Sequence, residues 1–105
     1  MSIAISKNGV PIRLTRERWQ HIAMGHPEIA DHYNEILEAI TNPDIIYEGN
    51  NDARIAIKKL NETFAKFVVT IYKETSADDG FVITAHFSKK LQLFKNKRIL
   101  WEQQS

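Results

Sequence analysis

Phe67-Val68-Val69-Thr70-Ile71-Tyr72-Lys73, the polar run Thr75-Ser76-Ala77-Asp78-Asp79-Gly80, and Phe81-Val82-Ile83-Thr84-Ala85-His86-Phe87 are the stretch on which the fold turns. β-Branched and aromatic residues crowd both flanks, and such side chains pack well on a pleated, half-buried surface. The residues between them are turn formers. The pattern predicts two strong strands, over 65–73 and 80–88, joined by a hairpin loop.

Upstream, Asp44 to Glu48 and the alternating run Ala53 to Lys59 read as two more strands, and downstream Arg98 to Glu102 closes the sheet. The N-terminal part reads as helix. Thr15 is a good N-cap, after which Trp19, Ile22 and Ala23 recur at helical spacing until Gly25. Pro27 suits the first position of a second helix, with Glu28 favourable to its dipole. Ile29, Tyr33, Ile36, Leu37 and Ile40 form its apolar stripe, and Asn42-Pro43 ends it. The stripe is core, with no ligand role for Tyr33. The expected fold is therefore α+β: two N-terminal helices packed on one face of a four- to five-stranded antiparallel sheet, in a single domain over 1–105.

Alternation divides each strand into an oily and a mixed face. Phe67, Val69, Ile71 and Phe81, Ile83, Ala85, Phe87 are expected beneath the helices. The opposite face then collects Arg54, Lys58, Thr70, Tyr72, Thr84, His86 and Ser88.

Composition bounds the function. The 105 residues suit one core, and 43% apolar with 10% aromatic content suits a folded chain. The absence of cysteine excludes disulfides, thiolate metal sites and a cysteine nucleophile, and fits a reducing compartment. No apolar run approaches the roughly 20 residues that span a bilayer, and the first residues lack the order of a secretory signal. A cytoplasmic protein without membrane contact is expected. The net charge is only +1, yet it is unevenly spread: 19–53 carries no lysine or arginine, whereas 89–98 carries Lys89, Lys90, Lys95, Lys97 and Arg98 and no acid. Such a basic edge can attract a polyanion locally.

The mixed sheet face would suit phosphodiester chemistry on RNA without a metal. One group takes the 2′-hydroxyl proton, another protonates the leaving oxygen, and cations or hydrogen bonds stabilise the phosphorane charge. Histidine serves either proton role. Lys58 and His86 are candidate substrate contacts, and Tyr72 a candidate stacking platform for a base.

The order Leu14-Thr15-x-x-Arg18-Trp19-x-His21-Ile22-x-x-x-His26-Pro27-Glu28, then Asn42-Pro43-Asp44, a strand series, and Phe81-Val82-Ile83-Thr84-Ala85 resembles the barnase, EndoU, colicin and RelE-like nuclease superfamily. The similarity is to its small phage- and mobile-element-associated members and covers 11–102. It implies helices on an antiparallel sheet, and metal-independent RNA cleavage leaving a cyclic phosphate. It further implies RNA as substrate, no cofactor, a toxin or effector role, and an antitoxin or immunity protein as partner. By position it implies catalytic roles for Arg18, His21, His26 and Thr84, with Glu28 as the motif's acid and a substrate contact.

Structural roles compete with these. Arg18 could pair with an acid of the second helix, His21 could be a buried core histidine, His26 could cap a helix, and the dipole alone accounts for Glu28. Two other classes stand beside the ribonuclease: a metal hydrolase built on His21, His26 and Glu28, whose histidine spacing differs from the zincin pattern, and a non-catalytic RNA- or protein-binding module on a nuclease fold.

Overall fold

The computed structural model describes residues 1–60, 66–90 and 92–104. The chain opens with a strand hairpin, β1 (Ser2–Ile5) and β2 (Pro11–Leu14). Helices α1 (Arg16–Gly25) and α2 (Tyr33–Thr41) follow, then β3 (Ile45–Glu48), β4 (Arg54–Lys59), β5 (Phe67–Ser76), β6 (Asp79–Ser88) and β7 (Ile99–Glu102). Among the described residues they form one seven-stranded sheet in the order β1-β2-β6-β5-β4-β3-β7.

This corrects the expected fold in two respects. The sheet is larger and mixed, because β2 lies parallel to β6 through Ile12 opposite Gly80 and Arg13 opposite Phe81. The helices are not N-terminal, because β1 and β2 precede them. Four-residue strands carry little alternation, and β2 finds its partner almost 70 residues away, so local pattern does not announce either. Two contacts fix the parallel pairing. Arg13 donates from both Nε and an Nη to the Asp79 carboxylate at 2.8 and 3.0 Å, and Gly80 has no side chain to obstruct Ile12.

The hairpin turn, with Gly9 at φ 79°, folds over the helical side and closes one end of the core. Buried Ser6 donates to Glu74, which also accepts from Asn8 at 2.9 Å and pairs with Arg54 at 3.3 Å. Lys7 lies 4.7 Å from the ring centre of Trp101 on β7, so the turn reaches toward the far edge of the sheet.

Thr15 caps α1 by accepting from the Arg18 amide at 3.1 Å. The chain after Pro27 is not yet α2. Amides of Ile29, Ala30 and His32 each bond three residues back, to His26, Pro27 and Ile29, which sets a 3₁₀ register over Pro27–Ile29. The expected strands after Pro43 are present, apart from Ala65, which lies outside the described residues.

Ile22, Ile29, Ile36, Ala39 and Ile40 join Ile12, Leu14, Ile46, Ala56, Val68, Tyr72, Val82 and Ala85 in the main core. Fully burying each large aliphatic contributes roughly 1.5–3 kcal/mol. The expected facing of β5 is reversed: Val68, Thr70 and Tyr72 lie under the helices, while Val69 and Ile71 pack with Ile55, Ile57, Tyr47 and Phe94 on the helix-free face. Thr70 resolves the apparent polarity conflict by donating to the Ile36 carbonyl on α2 at 3.0 Å. In β6 the alternation breaks at a bulge. Thr84 is opposite Ile71 but Val82 is opposite Tyr72, so Ile83 is an extra residue and both Val82 and Ala85 reach the main core.

Candidate active site

β2 accompanies β6 only as far as Phe81, so among the described residues no strand lies beside the β6 edge beyond it. α1 and the 3₁₀ turn after it pack there instead. His26, between the two, brings its ring to 5.7 Å from that of His86, centroid to centroid, with 32° between the planes. Glu28 places a carboxylate oxygen 3.6 Å from His26 Nδ1. The structure thus gathers His26, Glu28 and His86 at one edge.

His86 is half-buried, and its pKa lies below the ordinary histidine value. Burial is the chief cause, the charge of His26 acts in the same direction, and Glu28 opposes both. A neutral imidazole able to accept a proton near neutral pH is the result. Thr84 and His86 stand opposite Ile71 and Val69, and so share parity with the helix-free face.

Arg18 and His21 form a second locus. Both are exposed on α1, one turn apart, and with Thr15 and Glu17 they line an open groove of about 390 Å³. Arg18 shows no ion pair with the second helix among the described residues, and His21 is not a buried core residue.

One expected substrate contact is corrected, and another is engaged within the fold. Tyr72 is 1% exposed and sits in the main core, so its ring offers no platform to a base; burial, then Glu74, pushes its hydroxyl pKa up to about 12. Lys58 donates to the Asn42 carbonyl at 2.9 Å, satisfying the C-terminal end of α2. Arg54 is occupied by Glu74, and Thr70 is buried, so the expected basic, hydroxyl-bearing face is dispersed.

His32 was not among the sequence candidates. Its ring meets Phe87 edge-on at 4.8 Å, and its Nδ1 lies 3.8 Å from Glu35. The signal was its position just before α2, where it stands as N-cap without a capping bond. Among the described residues no three His, Asp or Glu side chains gather as a metal-holding group, and the groove lined by His21 includes neither His26 nor Glu28.

The family model described as phage-Barnase-EndoU-ColicinE5/D-RelE like nuclease2 matches residues 2–102 of the chain. Comparison with curated proteins and with solved structures gave no match.

Proposed function

The chain belongs to the phage-Barnase-EndoU-ColicinE5/D-RelE like nuclease2 family, and from that premise we propose that it is an endoribonuclease working by general acid-base catalysis at His26 and His86. The observation that carries the reading is the pairing of these two imidazoles at 5.7 Å beside Glu28, with His86 shifted toward its neutral form.

Neutral His86 takes the proton from the 2′-hydroxyl, whose oxygen attacks the adjacent phosphorus. The bond from phosphorus to the 5′-oxygen breaks as protonated His26 gives its proton to that oxygen. The products are a 2′,3′-cyclic phosphate and a free 5′-hydroxyl. Glu28 holds the charged His26 ring in place, and the Thr84 hydroxyl is proposed to donate to a non-bridging oxygen. Arg18 and His21 are proposed to hold a phosphate further along the strand.

The cellular role proposed is that of a toxin or effector restrained by an antitoxin or immunity protein. It predicts growth arrest on unrestrained expression, relieved by His86→Ala.

The decisive experiment incubates the purified protein with RNA in the presence of chelator and maps the new ends. Cyclic phosphate ends, and resistance of a substrate with 2′-deoxyribose at the cleaved position, are expected. Cleavage of plain DNA or strict dependence on added metal would overturn the mechanism. Binding of RNA with no cleavage would point to the non-catalytic module.

A further inference from the structure

After β6 the chain carries Lys89 and Lys90, crosses toward the opposite edge of the sheet, and lays Phe94 on the helix-free face against Tyr47 at 5.7 Å. Between this crossing and β5 lies an open groove of about 320 Å³ lined by Phe67, Lys89, Lys90 and Gln92. Phe67 is opposite Ser88, one pair beyond Val69 and His86 on the same face. At about 3.3 Å per strand residue, Ser88 is about 7 Å from His86. The groove therefore continues the line of the reacting residues at the distance of a neighbouring nucleotide.

Its chemistry is that of a single-stranded nucleic-acid subsite. A half-exposed aromatic ring offers a stacking face that accepts any base, provided the base is unpaired. Two exposed ammonium groups beside it neutralise backbone phosphate, and the Gln92 amide can donate or accept toward a base edge. Among the described residues, no salt bridge engages Lys89 or Lys90. Duplex RNA would keep its bases stacked internally and give Phe67 nothing to hold.

We infer that the Phe67, Lys89, Lys90 and Gln92 groove binds the nucleotide next to the cleaved bond and makes unpaired RNA the substrate. The inference rests on the ribonuclease reading for its placement beside His86, but its binding test does not require cleavage.

The test compares the full chain with the K89A/K90A and Phe67→Leu variants. Phe67→Leu keeps an apolar side chain against the helix-free cluster that includes Val69 but removes the ring, and thermal melting verifies that each variant folds. Binding of an all-2′-deoxy-2′-fluoro single-stranded oligonucleotide, which cannot be cleaved through a 2′-hydroxyl, is followed by fluorescence anisotropy over a salt series. K89A/K90A is expected to weaken binding roughly tenfold and to reduce the salt slope by about 1.4, for two phosphate contacts on a single strand. Phe67→Leu is expected to weaken binding about tenfold with an unchanged salt slope. In cleavage, both variants should raise KM on a single-stranded substrate and leave kcat close to wild type. Unchanged binding and KM in both variants, or equal affinity for duplex and single strand, would overturn the inference while leaving the nuclease intact. Lysine-dependent binding without any cleavage would instead uphold the groove and sink the ribonuclease reading.

Discussion

The rings of His26 and His86 lie 5.7 Å apart although 60 residues separate them, because α1 and the 3₁₀ turn after it pack along the part of β6 that β2 does not pair. Neither residue is held by a hydrogen bond to the other. Glu28 lies 3.6 Å from His26, whereas partial burial is the chief influence on His86. The two imidazoles thus sit in unlike surroundings, and burial favours the neutral form of His86, the form that a base requires.

The first prediction follows from that asymmetry. His86→Ala and His26→Ala should each lower kcat on RNA by roughly 10²–10⁴-fold with the fold retained. The wild-type rate should be bell-shaped in pH, and the acid limb should disappear from what activity remains in the His86 variant. Stopped-time assays on a single-stranded substrate, with circular dichroism of each variant, read both. A monotonic wild-type profile would dissociate the pair from the chemistry.

His86 also links pH to stability. Its native pKa is lowered, so the unfolded chain binds a proton at higher pH than the folded one. Its contribution is complete above about pH 6.5 and is lost as pH falls from there through the depressed native value. Denaturant midpoints measured between pH 7.5 and 5 should therefore decline, and His86→Gln should flatten the decline. An identical slope in the variant would show that another group carries it.

The helices and the strands after Pro43 are legible in the sequence because each carries many periodic residues: Thr15 caps α1, Ile29, Ile36 and Ile40 are fully buried, and the turn falls at Ala77–Asp78 within the expected loop. The facing of the strands is not. Parity puts Ile71 and Ala85 in one set, but the extra residue at Ile83 reverses it partway along β6, and no composition signal marks a bulge. Tyr72 and Thr70 look like surface residues because their polar atoms are visible in sequence. Their burial depends on long-range contacts, Thr70 with Ile36 and Tyr72 within the helix-side core. The motif at His26 and Glu28 was readable, whereas its meeting with His86 required the topology.

Gly80 tests the parallel join. A Cβ there would come within 2.5 Å of both Ile12 Cδ1 and the Lys73 carbonyl oxygen, and the latter is backbone that cannot swing away. Gly80→Ala should destabilise the fold by about 1–3 kcal/mol in urea titration. Gly25, the last residue of α1, has nothing within 4 Å of such a Cβ. Gly25→Ala should be neutral or stabilise by up to about 1 kcal/mol through reduced unfolded-state entropy. Equal effects at the two sites would mean that β2 and β6 do not approach as described.

Arg18 and His21 separate binding from chemistry. Both are exposed, one turn apart on α1, and they line a groove that includes none of His26, Glu28, Thr84 or His86. A guanidinium beside an imidazole there suits a phosphate that is held without reacting. Arg18→Ala should raise KM several-fold, shallow the salt dependence by about 0.7 for one lost single-strand phosphate contact, and leave kcat close to wild type. His21→Ala should follow the same pattern more weakly, because an imidazole offers fewer donors to a phosphate than the guanidinium fork. Tyr72→Phe, at a side chain sealed in the core, should alter neither constant. If His21→Ala instead lowers kcat as far as His86→Ala does while KM holds, the reacting phosphate sits in the α1 groove, and the acid-base assignment must move from the His26 and His86 pair to His21.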